Sequence, residues 1–345
     1  MNRSMRIEEN VMLAPYTTFG IGGPAAAYLE ARTDDDIETA LAYARERGLC
    51  VRVLGAGSNL LVPDEGVRAL VLRIAANEVS FEEGDDETFL IASAGLPWET
   101  VVDAAAGSGL YGIELLAGIP GTVGGGAVQN IGAYGAELST AFAYADTIDS
   151  RNGARRRISR DEAAYGYRTS YFKEHRELII TRVALRLSRT SGSVPDYPDI
   201  ARAREEGAAL GTPREIVETV RQIRAAKFPR LEEEGTAGSF FKNLVVPEAQ
   251  ATELKTRFPE LPVFPQEGGV AKVSLAWLLD HALGLKGYAI GKARLYEKQP
   301  LVLVARRGAS SNDVDLLARD VQARVHAATG IMIEREVETF SGDAS

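Results

Sequence analysis

The chain has 345 residues, 45% of them hydrophobic and 25% charged, which is the balance of an ordinary globular protein with room for two or three cores. A formal net charge of −9 argues against nucleic acid or an anionic membrane as the main partner. Cys50 is the single cysteine, which excludes an intrachain disulfide, and His175, His281 and His326 lack zinc-helix spacing, so no metal site is expected.

The first ten residues hold no apolar signal stretch, and the cytoplasm is the expected location. Residues 34–47 carry a helical pattern in Ile37, Leu41 and Ala44, with an acidic first turn and Gly48 as a stop. A short buried strand over 51–54 runs into Gly55-Ala56-Gly57-Ser58-Asn59. Strands follow over 69–74 and 89–94, and a helix over 98–106 begins after Pro97. The run 115–136 contains no charged residue. Its length suits a membrane span, but Gly118, Gly121, Gly124, Gly125, Gly126, Gly132 and Gly135 with Pro120 would ruin an exposed helix. Gln129 and Asn130 would moreover sit in hydrocarbon. The run reads as a loop laid against a phosphate-bearing ligand, with a tight packing loop as the alternative.

Residues 141–187 are mostly strand-like, alternation being clearest over 178–187, and Arg155 to Arg157 follow an Asn152-Gly153 turn as a solvated hairpin strand. Residues 190–212 are poor in periodicity and read as a linker or working loop whose one aromatic is Tyr197. A helix then starts cleanly, with Thr212 as cap, Pro213 in first position and Glu215 completing a capping box. Arg224 and Lys227 lie one turn apart on it, off its apolar stripe of Ile216, Val220 and Ile223. Beyond it come a helix over 274–283, strands over 287–295 and 301–305, a helix over 312–328 and a final strand over 331–340. Helices and strands mix irregularly, which fits α+β better than a strict βαβ alternation.

The dinucleotide fingerprint G-x-G-x-x-G fails at Gly55, where Leu60 takes the third glycine position, and at Gly124, where Gln129 does. Gly20-x-Gly22-x-x-Ala25 matches only formally. P-loop and nucleophile-elbow motifs are absent from the sequence. Two glycine-rich loops, 55–59 and 118–135, remain, and together they suit one elongated ligand such as a dinucleotide. Reactive groups stand out in three further segments. In Tyr167-Arg168-Thr169-Ser170-Tyr171-Phe172-Lys173 an arginine flanked by aromatics suits a carboxylate or a structural ion pair. In Ala237-Gly238-Ser239-Phe240-Phe241-Lys242-Asn243 the serine is first a hydrogen-bonding group. In the last strand, period two puts Glu334, Glu336 and Glu338 on one face, the pattern of an exposed edge.

Taken in order, Leu54-Gly55-Ala56-Gly57-Ser58-Asn59, Gly118-Ile119-Pro120-Gly121, Gln129-Asn130-Ile131-Gly132-Ala133-Tyr134-Gly135, the Arg168 segment and the Ser239 segment resemble the UDP-N-acetylenolpyruvoylglucosamine reductase family, from about Tyr16 to Phe340. The segment at Tyr197 resembles the closing loop of its type I branch. Leu244 departs from the proline frequent there, which changes loop stiffness and removes no functional group.

The resemblance implies an α+β chain: a two-subdomain FAD-binding fold of the PCMH/vanillyl-alcohol-oxidase type, then a C-terminal α/β substrate-binding domain. The implied division is 1–75, 76–228 with the substrate-closing loop 190–212, and 229–345. It implies non-covalent FAD, NADPH as hydride donor and reduction of an enolpyruvyl UDP-sugar in peptidoglycan precursor synthesis, by a monomer. Arg168 matches the arginine that holds the substrate carboxylate, Glu336 the glutamate beside it, and Ser239 the serine that protonates the carbanionic carbon. Leu54, Gly55, Ala56, Gly57, Ser58, Asn59, Leu60, Ile119, Pro120, Gly121, Gly124, Gly125, Asn130, Gly132, Ala133 and Tyr134 match FAD positions. Tyr134, Tyr197, Arg224, Lys227, Gly238, Asn243 and Gln299 match substrate positions, although a solvated helix face would by itself account for Arg224 and Lys227. An FAD-linked sugar or hydroxy-acid oxidase of the same fold would lack the Ser239 segment. It would also commonly tether its flavin through histidine or cysteine.

Overall fold

The computed structural model describes residues 6–84, 87–190, 192 and 194–342; residues 1–5 of the expected signal-free N-terminus, and Ser191 and Ser193 of the expected closing loop, lie outside these. Strands β1 (Glu8–Met12) and β2 (Pro24–Ala31) pair antiparallel, and helix α1 (Asp34–Arg47) leads to β3 (Cys50–Leu54), β4 (Leu60–Leu61) and β5 (Val67–Ile74). The first sheet runs β1-β2-β5-β3, with β5 parallel to both neighbours. Thr33 and Asp36 cap α1 reciprocally, and Gly48 ends it in a left-handed conformation at φ 62°. Its Ile37, Ala40, Leu41 and Ala44 are buried.

Strands β6 (Val79–Glu83) and β7 (Thr88–Ser93) precede helix α2 (Trp98–Gly107). The charge-free run then folds as a short helix α3 (Val123–Gln129) and a hairpin of β8 (Gly132–Ala133) and β9 (Ala136–Glu137). The expectation of a plain loop there is therefore corrected. Thr122 caps α3 by accepting from Gly125 N–H, and burial overrides the glycines' poor propensity. The glycines are there for fit: a Cβ at Gly124 would lie 2.9 Å from the Ala94 methyl, and one at Gly126 would lie 3.1 Å from Ile131 Cδ1.

A turn α4 (Leu138–Ala141) leads into β10 (Phe142–Asp149) and β11 (Arg155–Ser159), followed by the single turn α5 (Tyr171–Glu174) and β12 (Leu178–Leu187). The second sheet, wholly antiparallel, has the order β11-β10-β12-β7-β6. The segment read as aperiodic holds helix α6 (Pro198–Glu205), which Pro198 starts and Ile200 anchors as its one buried residue. Helix α7 (Pro213–Lys227) follows with the expected Thr212–Glu215 capping box.

The last third contains β13 (Gly235–Ser239), β14 (Leu244–Pro247), α8 (Glu248–Arg257), β15 (Val263–Gln266) and β16 (Val270–Val273). After these come α9 (Leu275–Trp277), β17 (Ala289–Ile290), β18 (Ala293–Leu295), β19 (Val302–Ala305), α10 (Ser311–Thr329) and β20 (Glu338–Thr339). Two antiparallel sheets result, β13-β19-β18-β17 and β14-β16-β15. The helix read over 274–283 is α9 continued by a π-helical turn, Leu278–Ala282, and the strand read over 287–295 is a hairpin bent at Gly291.

The expected strand over 331–340 is also corrected. Only β20 pairs in parallel, with β4, because the segment changes partners midway. Glu336 N–H donates to Phe240 O (2.8 Å), and then Glu338 N–H donates to Asn59 O (3.1 Å) and Phe340 N–H to Leu61 O (2.9 Å). It is a seam joining the Phe240 loop to the glycine turn, and not a free edge.

One apolar core runs from Ala27 through Trp98 and Phe142 to Val220; another gathers Phe19, Ile21 and Leu61 with residues from Ala237 to Val337. Trp98 is fully buried and donates its indole N–H to Leu116 O at 3.0 Å. Trp98→Phe would leave that carbonyl unpaired, and urea unfolding should show a loss of about 1–3 kcal/mol.

Candidate active site

Between the first sheet, α3 and the C-terminal sheets lies a cavity of about 570 Å³. Its floor is made by two glycine-rich turns locked together. Ser58 Oγ donates to Pro120 O at 2.8 Å, and a Cβ at Gly55 would meet Thr122 Oγ1 at 2.8 Å. Gly57, at φ 61°, presses on the Tyr16 carbonyl, where a Cβ would stand 2.4 Å away. Among the described residues, the backbone N–H groups of Ala56, Gly57 and Ser58 are donated to no protein acceptor. Consecutive free amides in a turn of this kind form an anion-binding concavity.

The wall above is built around Arg168, a non-glycine residue at φ 56°. Such a conformation costs on the order of 1–3 kcal/mol and persists only where its surroundings impose it. Here they do: Arg168 Nε donates to Glu336 Oε1 at 2.7 Å, Nη2 to Gly132 O at 2.9 Å and Nη1 to Asn130 O at 3.3 Å. The two side chains are only 17% and 14% exposed, so the pair is largely shielded from water. Glu336 reaches this position because the seam carries it inward, and it accepts a hydrogen bond from Arg168.

Ser239 ends β13 after an irregularity in the β13–β19 ladder, where Gly238 adopts φ 74°. Both line the cavity, as do Asn243 and Gln299. On the opposite side Tyr197 sets its ring edge-on to Tyr134, centroids 5.6 Å apart, and burial raises both phenols above their ordinary range. Asp199, two residues on, is ion-paired with Lys227. Arg224 donates Nε–H to Gly118 O at 2.9 Å, and its burial lowers its pKa. The shared helix face expected for Arg224 and Lys227 does border the cavity, but one side chain clamps a glycine carbonyl and the other is paired with a carboxylate.

Leu54, Gly55, Gly57, Ser58, Asn59, Leu60, Ile119, Pro120, Gly121, Gly124, Gly125, Gly132 and Ala133 also line the cavity; Ala56 and Asn130 do not. Asn130 is fully buried behind the wall. Its Nδ2 donates to Glu137 Oε2 and Gly166 O, both at 2.9 Å, and its Oδ1 accepts from Ser139 N–H at 2.9 Å. Its left-handed backbone, φ 45°, ends α3.

The sequence reading passed over Gln129, Lys173, Arg176 and Glu338, all of which border the cavity. It also passed over Lys272, whose ammonium lies 5.0 Å from the Tyr167 ring centroid. Burial, and then the charge of Arg168, lower the pKa of Lys272. Gln129 stood in a quoted motif, but a lysine alternating with Ala271 and Val273 gives no sign that it is anything but solvent-facing.

Residues 25–159 match the FAD binding domain family, and residues 230–340 match the C-terminal domain of UDP-N-acetylenolpyruvoylglucosamine reductase. The reductase of that name from Pseudomonas aeruginosa is 40% identical over 340 residues, 98% of this chain and 100% of that protein. The chain belongs to the UDP-N-acetylenolpyruvoylglucosamine reductase family. Its relative from Chromobacterium violaceum is 38% identical over 96% of this chain and 98% of that protein. The crystal structure of the Thermus caldophilus reductase superposes with a TM-score of 0.68 at 29% identity, covering 97% of this chain and 99% of that one. The fold class is thereby that of the family, an FAD-binding fold followed by a C-terminal domain. Among the described residues no helix is long and apolar enough to cross a membrane.

Because α3 packs on Ala94 without room for a methyl, Gly124→Ala should overpack this wall and cost about 1–3 kcal/mol in urea unfolding. Recovery of wild-type stability in that variant would show that the wall is not tightly packed.

Proposed function

We propose that the chain catalyses NADPH-dependent, FAD-mediated reduction of enolpyruvyl-UDP-N-acetylglucosamine to UDP-N-acetylmuramate, a step of peptidoglycan precursor synthesis. Full-length similarity to reductases of that name carries the reading, and the meeting of Arg168, Ser239 and Glu336 at one cavity supports it. FAD is held non-covalently, and the enzyme works in the cytoplasm as a monomer. We keep the division at 1–75, 76–228 and 229–345 as its domain organisation.

The residues present fit FAD. The free amides of Gly57 and Ser58, which line the cavity, suit a pyrophosphate, and Gly55 and Gly57 leave space that a side chain would fill. Gly121, Gly124, Gly125 and Tyr134 continue that wall. FAD, when bound, supplies the hydride carried from NADPH to the enolpyruvyl double bond.

The chain's own groups do the rest. Saturating the double bond takes one hydride and one proton, and negative charge collects on the carbon beside the carboxylate. Arg168 has five N–H donors, three of them engaged with the protein, and offers the remaining two to that carboxylate. Glu336 fixes the plane of the guanidinium through Nε. Ser239 Oγ–H delivers the proton; a hydroxyl is a weak acid, but a carbanionic carbon is basic enough to take it at short range. Tyr197, with Tyr134, covers the site against water, Lys227 and Arg224 form its cationic side, and Asn243 and Gln299 offer amide groups from the Ser239 side.

A purified protein that is yellow, bleaches with NADPH and recovers anaerobically on addition of the enolpyruvyl sugar nucleotide is the expected result; one that rejects FAD would refute the reading. In stopped flow, Ser239→Ala should keep reduction by NADPH while losing roughly 10²–10⁴-fold in reoxidation by the sugar substrate. Normal reoxidation would remove Ser239 from proton transfer. Arg168→Lys should lower kcat/KM by at least tenfold, since an ammonium lacks the planar fork. Near-normal turnover would make that arginine structural.

A further inference from the structure

Gln129 borders the cavity, and its Nε2 is buried with no protein partner. A buried donor left unpaired is costly, and in a native site it calls for an acceptor. The orientation of the amide is fixed by its other end, where Oε1 accepts from Lys173 Nζ at 2.9 Å. Turning the amide over would set two donors against each other.

Lys173 cannot itself serve a ligand. Its three ammonium donors meet Gln129 Oε1, the Arg168 carbonyl at 3.3 Å and Glu338 Oε1 at 3.0 Å. Glu338 also takes Arg176 at 2.9 Å. The positive charge of Lys173 also reaches the cavity through the amide it polarises, because a hydrogen bond accepted from a cation strengthens those donated by the same group.

We propose that Lys173 and Gln129 form a relay that donates a polarised N–H to bound flavin and so favours its reduced, more electron-rich form. The proposal rests on the FAD reading above. Gln129 is its contact group and Lys173 a positioning residue. The attachment of Lys173 to the Arg168 carbonyl puts the relay at the reacting end of the site.

The test is the reduction potential of the holoprotein, read by equilibration with a reference dye, in wild type, Gln129→Leu, Lys173→Met and the double variant. Each single variant should shift the reduction equilibrium about tenfold toward oxidised flavin, about 30 mV for a two-electron couple. The double variant should shift no further than one single, since one relay is broken in each. An unchanged potential in Gln129→Leu, or a double shift equal to the sum of the singles, overturns the proposal. FAD affinity, followed by flavin fluorescence, separates this from failure of the cofactor reading, which would appear already as a wild type that binds no FAD. If Lys173→Met does not hold FAD, Gln129→Glu decides: it keeps the size and the lysine contact and replaces the donor by an acceptor. A lowered potential there supports the relay, and an unchanged one overturns it.

Discussion

The ion pair of Arg168 and Glu336 joins positions 168 residues apart at 2.7 Å, and much of the surrounding architecture is what holds it there. A shielded pair of this kind is stabilising only when its remaining donors and acceptors are satisfied. The carbonyls of Asn130 and Gly132 take two guanidinium N–H groups, so the turn after α3 must present both oxygens inward. Asn130 achieves this by leaving the helix in a left-handed conformation, with every polar atom of its side chain tied to β9, the turn before Arg168 or α4. Arg168 completes the arrangement with a left-handed backbone of its own. Two strained residues are therefore paid for by one buried network, and neither would hold its conformation without it.

The second constraint is the seam at Glu336 to Phe340. By bonding first to Phe240 and then to Asn59 and Leu61, it fastens the Ser239 segment and the glycine turn to the same strip of backbone. Asn59 Nδ2 adds a bond to the Glu336 carbonyl at 3.1 Å. Ser239, the carboxylate partner of Arg168 and the amide cradle are positioned by one short segment. This explains why the cavity is made from regions that are distant in sequence and still has a defined shape.

Local signals in the sequence were read accurately where they are self-contained. The capping box of α7, the alternation of β12 and the glycine punctuation at Gly48 need no tertiary information. Failures came where distant packing decides. Three successive glycines read as loop, yet α3 is helical because Thr122 caps it and packing buries it, with Ala94 and Ile131 leaving no room for a side chain at Gly124 and Gly126. Period two at Glu334, Glu336 and Glu338 read as an edge, although Glu336 and Glu338 face buried cations supplied by α5 and the residues before it. The site followed the same division. Motif residues were found through family resemblance, whereas Glu338 and Lys272 belong to no motif, and Lys173, which ends the Arg168 segment, matters through what the fold sets beside it.

The state of the cationic side bears on how ligands enter. Lys227 is paired with Asp199, Arg224 with the Gly118 carbonyl, and Tyr197 rests on Tyr134. A diphosphate reaching Lys227 would therefore take the place of Asp199, whereas the bond of Arg224 to Gly118 uses only Nε. The partner of Lys227 sits on the short helix α6, whereas Arg224 is fixed to the cavity wall. Asp199 and Tyr197 lie on the same stretch of chain, so one segment makes both the ion pair and the tyrosine contact. Lys227 is thus tied to the segment that carries Tyr197, while Arg224 holds Gly118 and with it the cavity wall.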